Sequence, residues 1–198
     1  MTDNNTRHLE YTRRLYDNVM DWYRNADAKA QVILAIDGGF IAFVSSTIFA
    51  KPDELRPVLD AFVPVTWLIL VLMMVSLLGS IGTSIYCLWS RIYSGKEIQA
   101  IIRDATVKAF PAEQSTECYP PSIVYFFQFI ERLDKDRFVK TLEAVDPQFE
   151  LESLTNQIYI LSGNVRKKHF AVNLGFVLVA IALIMFFGVA GSYMLVVL

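Results

Sequence analysis

The segment FAVNLGFVLVAIALIMFFGVAGSYMLVVL, residues 170–198, contains no charged side chain. Crossing the hydrocarbon core of a bilayer takes about 20 apolar residues at about 1.5 Å of helical rise each, so this segment spans with length to spare. A second uncharged segment, 63–90, carries Leu68-Ile69-Leu70-Val71-Leu72-Met73-Met74 and reads the same way. Segment 32–50 is also long enough, although Asp37 lies inside it, followed by Gly38-Gly39. A carboxylate near the bilayer centre costs about 2.5–3.5 kcal/mol on insertion scales. Asp37 sits one to two turns from the start of its segment, where it can face the interface or a protein interior. A signal peptide is excluded as the reading of 32–50, because a long polar segment precedes it and no A-x-A cleavage pattern follows.

The fold expected is therefore an all-α integral membrane protein with three transmembrane helices in a two-plus-one arrangement. The expected divisions are an N-terminal amphipathic helix (1–31), a first span (32–50), a short external loop (51–62), a second span (63–90), a helical cytoplasmic region (91–169) and a third span (170–198). Bulk composition agrees: 54% of the 198 residues are hydrophobic and 19% charged, against about half and a quarter in soluble domains. Orientation follows from the 18 lysines and arginines. Arg7, Arg13, Arg14, Arg24 and Lys29 precede the first span, the 51–62 loop carries only Lys51 and Arg56, and the rest lie between Arg91 and Lys168. Positive charge accumulates on the cytoplasmic side. The N-terminus and 91–169 are expected inside, and the C-terminus outside.

Within the polar parts, Leu9, Leu15, Tyr16, Val19, Met20, Tyr23, Ala26 and Ala30 recur at gaps that describe an amphipathic helix running into the first span. Pro52 and Pro57 argue against continuous helix in the external loop. Helices are expected over 92–110, over 135–145 with Asp134 as cap, and from about Glu150 without a break before Lys168. The aromatic segment Ser122 to Ile130 fits a buried strand or a buried helix equally. The cytoplasmic region is marginal for an independent core, so its helices are expected to pack together, across subunits of a homo-oligomer.

The candidate functional residues cluster at the inner membrane boundary. Arg24, Asp27 and Lys29 lead into the first span, with Asp37 beyond them. Asp27 and Arg24 are three apart and can pair, whereas Lys29 points elsewhere. Arg166, Lys167 and Lys168 stand just before the third span. As a belt, these charges meet lipid headgroups and satisfy positive-inside anchoring. As a site, they form a ligand contact or a latch. Ser76, Ser80 and Ser84 repeat every four residues beside Gly79 and Thr83, and Gly188 and Ser192 are four apart, a spacing that fits simple close packing of helices or, alternatively, a pore lining or sliding interface that rearranges when ligand binds. Replacement of Asp27 or Lys29 is expected to abolish activity without affecting insertion.

No catalytic chemistry is legible, so an enzyme is not expected. His8 and His169 lack metal-ligand neighbours, and G-x-S-x-G, the Walker lysine loop and H-E-x-x-H are absent. A net charge of −2 gives no nucleic-acid footprint. Cys87 and Cys118 show no metal spacing, and no cofactor is expected.

Ala26-Asp27-Ala28-Lys29-Ala30, Phe126-Phe127-Gln128-Phe129-Ile130 and the Leu161-Ser162 to Lys167-Lys168 approach occur in this order. Together with the span arrangement they resemble the bacterial Pycsar transmembrane effector family, from about Tyr16 to the end. The chain departs from the family's F-G-D-like pattern at Phe127-Gln128-Phe129, where the acidic residue is missing. The resemblance implies an antiphage effector in the bacterial inner membrane. Such an effector answers cyclic CMP or cyclic UMP, made by a pyrimidine cyclase on infection, by impairing that membrane and causing abortive infection. The other class of function open to these residues is a membrane scaffold whose cytoplasmic helices bind another protein.

Overall fold

The computed structural model describes residues 2–50, 52–89, 118–121, 124, 130 and 133–197. The expected helix over 92–110 and most of the aromatic segment 122–130 lie outside the described residues. Among those described, every regular element is a helix: α1 Thr2–Ala50, α2 Pro52–Asp60, α3 Pro64–Leu88, α4 Lys135–Glu143 and α5 Pro147–Val197. Three of them, α1, α3 and α5, are long and apolar enough to cross a membrane. The chain is an all-α membrane protein.

The boundaries follow local chemistry. α1 passes unbroken from its amphipathic part into its apolar part, because Gly38-Gly39 is its only weak point and glycine in a helix costs only about 1 kcal/mol. The 51–62 connection contains a helix where its prolines had argued against one. Pro52 stands at the first helical position, where its missing N–H is an orphan anyway. Pro57 forfeits one ladder bond, yet its own carbonyl still accepts from Ala61 N at 3.2 Å. Val63, preceding Pro64, is forced extended (φ −75°, ψ 159°), and α3 starts on that proline. Asp134 caps α4 by accepting from Arg137 N at 3.0 Å. Asp146 does the same for α5 through Phe149 N at 2.7 Å, so α5 begins at Pro147, earlier than the sequence pattern suggested.

The chain divides into two compact units. One combines Met1–Trp22 with Ser90–Asn164. In it, Tyr119 is buried, its N–H donates to Thr141 Oγ1 at 2.8 Å, and its hydroxyl accepts from Asp134 N at 3.1 Å. The Arg137 guanidinium covers the same ring at 4.4 Å. Arg13 grips Glu150 with two parallel bonds of 2.6 and 2.7 Å, the fork geometry in which arginine binds carboxylate most strongly.

The other unit, Tyr23–Trp89 with Val165–Leu198, bundles the apolar parts of α1, α3 and α5 and includes the short α2. α3 runs antiparallel to α5: as its positions descend through Ser84, Gly79, Ile69 and Thr66, their α5 neighbours ascend through Gly175, Leu178, Gly188 and Ser192. Two apolar clusters hold it. Ala26, Ala30 and Ile33 pack with Cys87, Ala171 and Val172. Farther along, Met73, Leu77 and Ala182 pack with Phe40 and Phe186, whose rings meet edge to face at 5.2 Å. The opposite face of α3 exposes Leu68, Val71, Val75 and Leu78, as a helix bathed in lipid does. Cys87 and Cys118 form no disulfide.

Candidate functional site

The α5 positions that face inward recur at helical spacing: Val165, Lys168, Ala171, Val172, Gly175, Val179 and Ala182 are all buried. Lys168 thus occupies a core position in a stripe of small and branched residues. Its neighbours Arg166 and Lys167 project outward and are exposed. The basic trio that reads as one belt in the sequence is split by the 100° step of the helix.

A buried ammonium requires partners, and α1 supplies them. Lys168 Nζ lies 2.5 Å from Asp27 Oδ1 and 3.7 Å from the centroid of the Tyr23 ring. The lysine side chain is 4% exposed, the aspartate 29%. Burial pulls the Lys168 pKa down, but hydrogen bonds and charge interactions with Asp27 and Tyr23 outweigh it and hold the ammonium above its ordinary range. Lysine therefore stays cationic, and the aspartate is the member of the pair that solvent can reach. Cys87, on α3, closes the same corner with its thiol 3.7 Å from Ala26 O.

Of the other candidates from the sequence, Arg24 and Lys29 are exposed. The carboxylate of Asp27 turns to Lys168 across the bundle. Asp37 lies ten residues beyond Asp27 and is fully buried, with Ser80 Oγ donating to its Oδ2 at 2.8 Å. The structure accordingly brings Asp27 and Lys168 together, places Asp37 in a second polar position with Ser80, and leaves Arg24, Lys29, Arg166 and Lys167 on the surface.

Three residues of these two places have contacts that the sequence pattern does not show. Tyr23 belonged to the amphipathic pattern but was not assigned to Lys168. Ser80 was a packing hydroxyl rather than a partner of Asp37. Gly175 carries the same spacing signal as Gly188 and Ser192, standing four residues after Ala171 at the start of the third span. A Cβ on Gly175 would lie 2.9 Å from Thr83 Oγ1 and 3.2 Å from Ile33 Cδ1, so only glycine lets α5 approach both neighbours here.

Chemically, the Tyr23–Asp27–Lys168 corner offers a cation beside an aromatic face, covered by a removable carboxylate. Among the described residues no group of three or more His, Cys, Asp or Glu side chains could hold a metal ion. Residues 11–195 match the family model described as the Pycsar effector protein domain. No curated protein and no solved structure matches the chain.

Proposed function

The chain belongs to the Pycsar effector family, which makes it an antiphage membrane effector, and from that premise we propose that it answers a cyclic pyrimidine mononucleotide, cyclic CMP or cyclic UMP, by impairing the bacterial inner membrane. The nucleotide is an activating ligand and no cofactor takes part. The polar side, with the N-terminus and 91–169, faces the cytoplasm, where the nucleotide is made, and the C-terminus lies outside.

The observation that carries this reading is the Lys168 ammonium held between Asp27 and the Tyr23 ring. A cyclic mononucleotide brings one phosphate charge and one stackable base. Lysine recognises the first as a point charge, and an aromatic ring the second. In the resting state Asp27 stands where the phosphate would. Exchange of carboxylate for phosphate would free α1 from α5 at the membrane boundary, with the exposed Arg166 and Lys167 drawing the anion in.

A ligand shifts a closed–open equilibrium only by its differential affinity for the two states. A carboxylate that competes with the ligand for one buried cation provides such a difference. The outward face of α3 supplies the surface over which copies could assemble into a homo-oligomer and disturb the bilayer.

The test is inner-membrane potential in cells expressing the protein with a co-expressed cyclase that makes cyclic CMP, one that makes cyclic UMP, or neither. Collapse with a single nucleotide supports a gated effector and names its ligand. An unchanged potential in all three, with the protein confirmed in the membrane, overturns the reading in favour of a scaffold that binds another protein.

A further inference from the structure

The second polar position in the bundle is not used by the proposed nucleotide response. Asp37 is fully buried, and only one of its carboxylate oxygens is satisfied. Ser80 Oγ donates to Oδ2 at 2.8 Å, whereas Oδ1 has no hydrogen-bond partner among the described residues. Ser84, one turn along α3 from Ser80, is also fully buried, and its hydroxyl has no hydrogen-bond partner among the described residues. Ser80 Oγ lies 3.3 Å from the Gly175 carbonyl as well. Its hydrogen can therefore rest on the carboxylate or on that carbonyl and still leave a lone pair to present. Gly175 makes the convergence possible, since a Cβ there would come within 3.4 Å of Ser84 Oγ. Oxygens of Asp37 on α1, Ser80 on α3 and Gly175 on α5 thus meet at Ser80, with the Ser84 hydroxyl one turn farther along α3.

We propose that Asp37, Ser80 and Ser84, with the Gly175 carbonyl, form a site for a small alkali cation inside the membrane-embedded bundle. An intramembrane carboxylate is costly unless it is paired, and no lysine or arginine pairs with Asp37 among the described residues. A proton would neutralise the carboxylate but leave the Ser84 hydroxyl without a partner. A water molecule would offer hydrogen bonds to either group but leave the charge. An alkali cation does both, because hard cations take carboxylate, hydroxyl and carbonyl oxygens together. The site is independent of nucleotide recognition, and its test contains no nucleotide.

The experiment is thermal unfolding of the purified full-length protein in nanodiscs, at fixed pH and ionic strength, in sodium, potassium, lithium or N-methylglucamine chloride. At least one alkali chloride raises Tm above the organic cation, by a steady increment for each tenfold rise in concentration beyond half-saturation. Asp37→Asn keeps a polar group opposite Ser80 without the charge, and its Tm is the same in every salt. Ser84→Ala keeps the charge but removes a ligand, and raises the half-saturating concentration about tenfold, which is about 1.4 kcal/mol. A wild-type Tm that is identical in all four salts overturns the proposal, including the case in which it responds to pH alone. An alkali shift undiminished in Asp37→Asn, or in Ser84→Ala if the first variant does not fold, overturns it equally.

Discussion

Lys168 of α5 and Asp27 of α1 meet at 2.5 Å, with the lysine 4% and the aspartate 29% exposed. That asymmetry gives the pair a direction. The ammonium is committed to the bundle interior, while the carboxylate is within reach of solvent and can be exchanged. Removing one partner of a buried ion pair costs at most roughly 3–5 kcal/mol, because the other charge is left uncompensated. The partial exposure of Asp27 places this pair at the lower end of that range.

Asp27→Asn therefore weakens the contact between α1 and α5 that the nucleotide is proposed to break, so activation is predicted where the sequence alone led to an expected loss of activity. Cells expressing this variant without a cyclase show reduced membrane potential, and the nucleotide needed for half-maximal collapse falls about tenfold, equivalent to about 1.4 kcal/mol. Lys168→Gln removes the restraint and the phosphate contact together, so it leaks without nucleotide and gains nothing when nucleotide is supplied. An Asp27→Asn variant that is present in the membrane yet silent in both conditions contradicts the role given to the pair.

Lys29 separates from Asp27 in the same assay. The sequence pattern treats both as necessary, but the Lys29 side chain is exposed. Lys29→Gln keeps the nucleotide response within about twofold, as surface substitutions usually stay within about 0.5 kcal/mol. Loss of response in Lys29→Gln would move the ligand site from the buried corner to the surface of α1.

Gly175 is the packing counterpart of this site. Gly175→Ala brings a methyl to 2.9 Å from Thr83 Oγ1 and 3.2 Å from Ile33 Cδ1, and lowers stability by about 1–3 kcal/mol. Because the tightest approach is to a single side-chain oxygen, Thr83→Ala combined with Gly175→Ala costs less than the sum of the two changes. Unfolding of the four proteins in a double-mutant cycle measures the difference. Strict additivity would place the strain elsewhere.

The Arg13–Glu150 pair gives the other unit a pH dependence. The hydrogen bonds from Arg13, with its charge, hold the Glu150 carboxyl below its ordinary value of 4.5, against the opposing effect of burial. A carboxyl with a depressed folded-state pKa contributes stability that is fully present above 4.5 and is lost as pH falls through the folded value. Wild-type Tm consequently falls more steeply than that of Glu150→Gln between about pH 5 and pH 3. The two curves converge at the acid end. Parallel curves throughout would show that the pair carries no linkage.

The spans were legible because 63–90 and 170–198 are uncharged over lengths that only a bilayer or a deep core accommodates. The continuity of α1 and α5 was legible too, from the absence of breakers before Ala30 and Lys168. The cap on α4 was readable from Asp134. What the sequence left open was pairing between helices. Asp37 and Ser80 are 43 positions apart, and their meeting depends on the register of two antiparallel helices, which no local pattern encodes. Lys168 looked like its neighbours Arg166 and Lys167, yet its phase with Val165, Val172 and Val179 put it on the buried stripe. A lysine in that phase was the available signal, and composition concealed it. The helix over 52–60 escaped for the opposite reason, since its prolines stand where a short helix loses little.

The measurement that reaches the central claim most directly is a potential across vesicles containing only the purified protein. Potassium-loaded vesicles with a valinomycin-set potential are given cyclic CMP, cyclic UMP, cyclic AMP or no nucleotide on the side bearing the N-terminus. The account predicts that one cyclic pyrimidine nucleotide dissipates the potential in the wild-type protein, that cyclic AMP does not, and that Lys168→Gln vesicles leak equally with and without it. A potential that persists with every nucleotide, in vesicles whose protein is folded and correctly oriented, would contradict a gate built on the Asp27–Lys168 pair.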